Sequence, residues 1–202
     1  ASQYVILGAG LDTFAFRRPE LLGTLRVFEV DHPSTQAQKR RRIAELGWTV
    51  PARLAFVPVD LAGEPLGPAL FRAGFDARAG GFFSWLGVAY YLPRGAVLAT
   101  LRAIAQAARA GSAVAFDYLD EARLGAKPGG AGGIRLGGPE RLGEPVVSGL
   151  DPAALSADLA RAGLLLVEDL GPREIQTRWL DGRTDGLRAA ASAHLARAVV
   201  RR

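Results

Sequence analysis

The sequence contains no cysteine, which excludes a disulfide framework and any cysteine-ligated zinc or iron–sulfur centre. Histidine is almost as scarce. Only His32 and His194 occur, too few for a histidine-built metal site, so no metal is expected. No stretch approaches the roughly 18 consecutive apolar residues of a membrane-spanning helix. The opening Ala1-Ser2-Gln3-Tyr4 has neither the basic start nor the apolar stretch of a secretory signal. By elimination, the expectation is a cytoplasmic protein with no membrane partner. Methionine is missing too, even at position 1, and a strand begins almost at once. We therefore expect further N-terminal residues in the natural protein.

What is present describes an ordinary globular chain. At 202 residues, with 49% hydrophobic and 22% charged residues, one domain can bury a substantial core. The net charge of +5 raises the question of nucleic acid. The dense basic run is Lys39-Arg40-Arg41-Arg42, inside a predicted helix where consecutive residues point to different sides. No aromatic residues interleave with it as base-stacking platforms would. The run reads as a solvated helix face, and nucleic acid is not an expected partner.

Short apolar runs alternate with helical stretches, the pattern of a sheet covered by helices. Tyr4–Leu7 is apolar at successive positions, as in a strand buried on both faces, and Gly8-Ala9-Gly10 ends it. A short helix then stops near Pro19. Arg26–Asp31 is a second strand, and Pro33 opens a helix running to Leu46 and closed by Gly47. A third strand covers Leu54–Val59, with Pro58 marking its end or a sheet edge. A helix near Leu66–Ala73 leads to a fourth strand, Gly81–Leu86. Pro93 opens a long helix with Val97, Leu98, Leu101 and Ile104 at helical spacing. Ala113–Tyr118 is a fifth strand.

Residues 125–149 are glycine-rich and lack periodic apolar positions, which predicts a surface loop or lid. Asp151-Pro152 caps a helix to Ala162. Leu164–Leu170 is a sixth strand, Arg173–Trp179 is expected to be the seventh, and an alanine-rich helix over 186–200 is expected to close the chain. Helical crossovers make the sheet mostly parallel, whereas a short link at Gly171-Pro172 suits an antiparallel final pair. The expected fold is therefore α/β: seven strands, the last antiparallel, with helices on both faces and a ligand crevice at the strands' C-terminal ends.

The first strand–loop–helix junction, Gly8-Ala9-Gly10-Leu11-Asp12-Thr13, is the obvious candidate site, because glycines let a ligand lie close to the main chain. Thr13 stands where a dinucleotide fingerprint would place its third glycine. Glu29 and Asp31 share one face near the end of the second strand, about 20 residues after the glycines. An acid there can accept hydrogen bonds from both ribose hydroxyls of an adenosine ligand. Asp60, after the third strand, is placed to meet an adenine amine, with Leu61 beside it.

Val5-Ile6-Leu7-Gly8-Ala9-Gly10-Leu11-Asp12-Thr13 and Val27-Phe28-Glu29-Val30-Asp31-His32-Pro33 resemble the opening motifs of the leucine carboxyl methyltransferase family. Pro58-Val59-Asp60-Leu61 and Tyr91-Leu92-Pro93 are similar to its next motifs. Arg178-Trp179-Leu180-Asp181-Gly182-Arg183-Thr184-Asp185-Gly186-Leu187 resembles the tail of its bacterial, polyketide O-methyltransferase-like branch. The resemblance implies a class I methyltransferase fold of Rossmann type and S-adenosylmethionine (SAM) as cofactor. It implies that Gly8 and Gly10 line the methionine part, that Asp31 rather than Glu29 holds the ribose, and that Asp60 and Leu61 flank the adenine.

Two departures stand out. Leu86 occupies a position where many relatives have an acid, and Phe14 one where arginine is usual. The family also carries an N-terminal helical segment that covers the cofactor, and the expectation is that this sequence lacks it. The implied reaction is methylation of a carboxylate or hydroxyl oxygen, with a small-molecule acceptor. A catalytically inactive SAM-binding module and a nicotinamide-dependent oxidoreductase are the alternatives. No residue is singled out as catalytic. A carboxylate acceptor needs no base, whereas a hydroxyl would draw on a group such as His32 or a tyrosine. His32 is expected to enter a helix, Tyr90, Tyr91 and Tyr118 to pack in the core or line the acceptor pocket, and His194 to sit on the last helix.

Overall fold

Apolar runs bounded by glycine or proline become the central strands, since such runs tolerate burial on both faces. The computed structural model describes residues 1–124 and 146–201. Its first five strands are β1 (Gln3–Leu7), β2 (Arg26–Asp31), β3 (Leu54–Pro58), β4 (Gly81–Trp85) and β5 (Ala113–Leu119). All their mutual pairings are parallel. With β6 (Leu164–Leu170) and β7 (Ala193–Val200) they form one seven-stranded sheet in the order β3-β2-β1-β4-β5-β7-β6. Pro58 closes β3, which is an edge strand, where a missing amide donor costs no ladder bond.

The helices divide between the faces. On one, α3 (Leu66–Arg72), α4 (Arg94–Ala107) and α5 (Pro152–Ala162) cover a core built on Val5, Leu7, Phe28, Phe83, Trp85 and Phe116. On the other, α1 (Phe14–Arg17), a 3₁₀ turn (Pro19–Gly23) and α2 (Pro33–Glu45) cover β1, β2 and β3. Local signals place these ends where the sequence puts them. Pro33 lies in the first turn of α2, Gly47 takes the left-handed conformation just beyond it, and Asp151 accepts from the Ala153 amide to cap α5. Among the described residues no helix is long and apolar enough to cross a membrane.

Two expectations for the C-terminal part are overturned. Arg173–Trp179 is not a strand: α6 (Pro172–Ile175) runs into a π-helical turn (Gln176–Leu180), with Pro172 in the first helical turn, where its fixed φ is favourable. Nor is the alanine-rich end a helix, since β7 occupies it. Pairing on both sides, with β5 and with β6, outweighs the helix preference of alanine. Ala196 and Ala198 bring little bulk to the crowded core beside Phe116. Seven strands with the last one reversed is therefore correct, but the reversed strand lies between β5 and β6 and is reached through residues 171–192 rather than by a short link. The expected glycine-rich loop falls largely on residues 125–145, outside the described residues.

Candidate functional site

The C-terminal ends of β1, β2 and β3 bring the predicted residues to one edge of the sheet. β1 ends at Leu7, and the amides of Gly8 and Ala9 both donate to the Val30 carbonyl of β2, at 2.8 and 3.1 Å. This turn demands glycine. Gly8 has φ +68°, and a Cβ there would stand 2.2 Å from Val88 Cγ2. Gly10 has φ +47° and opens on free space, with nothing nearer than 4.0 Å to an added Cβ. The loop closes on itself through Asp12, whose carboxylate accepts from the Phe14 amide at 2.6 Å.

Asp31 ends β2 half-buried and ties the loop to it. Its Oδ2 accepts from the Gly10 amide and its Oδ1 from the His32 amide. Each oxygen keeps acceptor capacity for a further donor. Glycine loop and acid thus stand in direct contact, a cradle that fits an adenosine-type ligand: open backbone at Gly10 beside a half-buried carboxylate. His32 caps α2 and pairs with the Ser34 hydroxyl at 2.7 Å, the helix-entry role its position predicts.

Asp60 and Leu61 follow β3. Asp60 Oδ1 accepts from the Ala62 amide at 2.9 Å, a local turn that leaves Oδ2 without a hydrogen-bond partner among the described residues. Leu61 packs at the margin of the main core and borders a groove of about 380 Å³ between this loop and α4, shared with Ala96, Thr100 and Ala103.

Glu29 is in a different situation from Asp31, although both face the same side of β2. It is fully buried and bonded at 2.5 Å to the ammonium of Lys39, itself 4% exposed. The other carboxylate oxygen, Oε1, has no hydrogen-bond partner among the described residues. Burial raises the pKa of Glu29 above the ordinary carboxylate value in spite of Lys39. Lys39 thus corrects the reading of its basic run as a solvated face. Gln36, Lys39 and Ile43, spaced three and four apart, form the buried stripe of α2, while Arg41 and Arg42 pair with Glu45 in solvent.

The two departures also find places. Phe14 packs edge-on against Tyr4 at 5.0 Å in the smaller core, so a charge there would be costly. Leu86 is half exposed. The acid near the end of β4 comes instead from β5, where Asp117 accepts from the Gly87 amide at 2.8 Å and burial raises its pKa. Asp117 was not anticipated; its place one strand over becomes visible only with the β4–β5 register. The Tyr90 and Tyr91 rings lie 4.7 Å apart, and residue 147 bonds back to the Tyr90 carbonyl. Tyr118 is buried in the core, with its hydroxyl 2.7 Å from Asp169. His194 lies on β7, not on a helix. The tail motif forms the end of the π-helical turn, one further turn and a bend, tied by Arg178–Glu168 and Arg183–Asp185 ion pairs. No group of three or more metal-binding side chains occurs among the described residues.

The profile of the leucine carboxyl methyltransferase family matches residues 1–105, from β1 through most of α4. A Bacillus subtilis (strain 168) protein, YktD, is 38% identical over 201 residues, covering 98% of this chain and 66% of its own length. A Mycobacterium avium (strain 104) protein is 36% identical over 126 residues, covering 62% of this chain and 42% of its own length. Both names designate candidate SAM-dependent methyltransferases. The chain spans at most about two thirds of the length of these relatives. Among solved structures, one from the complex between the Haloferax volcanii Trm112 methyltransferase activator and a candidate methyltransferase aligns over 100% of this chain and 82% of its own, with TM-score 0.61 and 17% identity. The O-methyltransferase NcsB1 from neocarzinostatin biosynthesis, solved with SAM and 2-hydroxy-5-methyl naphthoic acid, aligns over 98% of this chain and 49% of its own, with TM-score 0.58 and 16% identity. These structural likenesses establish the fold as that of class I methyltransferases.

Proposed function

Because the chain belongs to the leucine carboxyl methyltransferase family, we propose that it is a SAM-dependent methyltransferase acting on a carboxylate or hydroxyl oxygen of a small molecule. One observation carries the reading: the family match spans the stretch that holds Gly8, Gly10, Asp31, Asp60 and Leu61 at the sheet's C-terminal edge. The cofactor is SAM. The small-molecule acceptor follows from the bacterial branch that the tail motif resembles.

SAM supplies an activated methyl group on a sulfonium, so the protein's work is positioning. Gly8 and Gly10 let the backbone approach the methionine part, with no side chain at Gly10 to block it. The free acceptor capacity of Asp31 takes the ribose hydroxyls, and its bond to the Gly10 amide keeps the carboxylate and the loop in one register. Asp60 and Leu61 bound the adenine. Holding acceptor and methyl donor in line is worth about 7–11 kcal/mol in well-oriented cases, without proton transfer when the acceptor is a carboxylate.

Calorimetric titration tests the cofactor. SAM is expected to bind and NAD(H) not to bind; NAD(H) binding without SAM would end the proposal. Transfer of labelled methyl from SAM to a panel of carboxylates and phenols then tests the reaction.

A further inference from the structure

Strands β5, β6 and β7 bring together three polar side chains with no part in the cofactor cradle. Tyr118 on β5 places its hydroxyl 2.7 Å from Asp169 Oδ2 and 3.1 Å from His194 Nδ1. Asp169 Oδ1 lies 3.3 Å from the same Nδ1. The phenol and imidazole rings stack at 4.9 Å. In the sheet register His194 faces Tyr118, near the end of β5 and the beginning of the reversed β7. The cluster therefore lies at the same sheet edge as Gly8 and Asp31. One loop links the end of β5 to the glycine turn: Asp117, on the face of β5 opposite Tyr118, holds the Gly87 amide, and Val88 packs on Gly8.

Proton counting decides the state of the imidazole. Tyr118 has one hydroxyl proton, and the carboxylate at 2.7 Å takes it. Burial and that carboxylate both keep the phenol protonated. Toward Nδ1, then, the phenol oxygen and Asp169 both present lone pairs, so Nδ1 must carry the hydrogen. In the neutral ring Nε2 is then the bare lone pair, and it has no hydrogen-bond partner among the described residues. The ring is not sealed in, since the His194 side chain keeps 13% of its surface exposed. Gly171 flanks the Cε1–Nε2 edge, where a Cβ would stand 3.4 Å from Cε1 and 3.8 Å from Nε2.

We propose that His194 Nε2 is the general base that deprotonates a hydroxyl acceptor of the phenol class, with Asp169 and Tyr118 as positioning residues that fix its tautomer. The proposal rests on the methyltransferase reading and narrows it, because a carboxylate acceptor would not use a base. In the step, the acceptor O–H proton passes to Nε2. The oxygen electron pair forms the O–CH3 bond as the C–S bond breaks, its pair returning to sulfur to leave a neutral thioether. The imidazolium, held against the Asp169 carboxylate, then releases its proton to solvent.

The first test needs no cofactor. Nitrogen-15 NMR of histidine-labelled protein at about pH 8.5, where imidazoles are ordinarily neutral, should show His194 protonated at Nδ1 and bare at Nε2. Asp169→Asn should shift it toward the opposite tautomer. The second test follows methyl transfer to phenols of graded acidity and to matched carboxylates. Phenols should be methylated, and His194→Gln should lower kcat by about 100-fold or more. The loss should be smaller for the most acidic phenols, which are ionised without help, and SAM affinity should stay within about two-fold of wild type. An Nε2-protonated wild-type ring would overturn the proposal, as would a His194→Gln variant with undiminished phenol turnover or a SAM-binding protein that methylates only carboxylates or nothing. Failure to bind SAM at all would instead remove the methyltransferase reading beneath it, whatever the tautomer.

Discussion

The two halves of the sheet contain buried polar clusters built on opposite terms. Under the glycine loop, Glu29 and Lys39 are buried, and the carboxylate oxygen without a partner among the described residues has no exposed surface. At the far side, Tyr118 is buried, but Asp169 and His194 keep 18% and 13% of their side-chain surface in solvent. Both clusters join a strand to its neighbouring elements, α2 in one case and β6 and β7 in the other. They differ in what happens when a partner is lost. A sealed charge has no substitute partner, whereas a cluster with a solvent opening can recruit water. The first cluster is therefore a structural commitment, and the second can tolerate the protonation changes that chemistry requires.

The largest effect should come from breaking the sealed pair. Lys39→Met leaves Glu29 buried without its counter-charge, a change that costs about 3–5 kcal/mol in comparable sites. Denaturant unfolding at neutral pH measures it. The sign of its pH dependence is fixed by the raised pKa of Glu29. The folded state holds the proton more tightly than the unfolded state, so protonation contributes stability that is complete below the unfolded value and disappears as pH rises through the folded one. Removing Lys39 takes away an influence that lowers that pKa, so the window widens upward. The deficit of Lys39→Met should shrink as pH falls, and a deficit independent of pH would argue against a charged Glu29.

Next in size is Gly8→Ala. The clash with Val88 and the left-handed φ act together, for about 2–4 kcal/mol. Adding Val88→Ala removes the two γ-carbon contacts at 2.2 and 3.0 Å and should recover most of the steric share, leaving the backbone strain of about 1–2 kcal/mol. Full recovery in the double variant would show that the turn does not require glycine.

The first half of the molecule was more legible in the sequence than the second, for physical reasons. Strands β1 and β4 consist largely of successive apolar residues and end at glycine-containing turns, and β2 opens on Val27-Phe28 and ends at an acid and Pro33, so their type and place are unambiguous. β7 reads Ala193-His194-Leu195-Ala196-Arg197-Ala198-Val199-Val200, with alanines that favour a helix in isolation. The contrary signal was its period of two, which puts Ala196, Ala198 and Val200 on one face. Arg173–Trp179 misled in the other direction, since Ile175, Thr177 and Trp179 alternate as a strand would although the segment is helical. Lys39 was legible from its spacing with Gln36 and Ile43, had that spacing outweighed the run of cations. At the sheet edge, Gly8, Gly10 and a carboxylate near the end of β2 stand out by local chemistry, whereas the choice of Asp31 over Glu29 comes from the family resemblance. Asp117 and the His194 cluster depend on strand register and strand order, which no local pattern contains.

Asp31→Asn probes the cradle itself. An amide keeps the shape but offers only one oxygen, and it replaces a charge-assisted acceptor with a neutral one. The loss is about 1.5–3 kcal/mol of SAM binding, or roughly 10- to 150-fold in Kd by calorimetry. Folding stability should change less, because the Gly10 amide can still donate to the remaining oxygen. A Kd within two-fold of wild type would remove Asp31 from the ribose role.

The smallest effect should be that of Tyr118→Phe, and it bears most directly on the contrast between the clusters. The substitution keeps the aromatic volume between Phe116 and His194 and deletes one hydroxyl. Asp169 loses its closest donor and His194 an acceptor, at 2.7 and 3.1 Å. In a sealed site two orphaned groups would cost several kcal/mol, as they should at Glu29. Here both retain some solvent contact, so water can take the place of the hydroxyl and the cost should be about 0.5–1.5 kcal/mol. Thermal unfolding of this variant beside Lys39→Met measures the difference between the two clusters directly. A Tyr118→Phe penalty as large as that of Lys39→Met would mean that the far cluster is sealed after all, and a sealed imidazole could neither meet an acceptor nor release its proton.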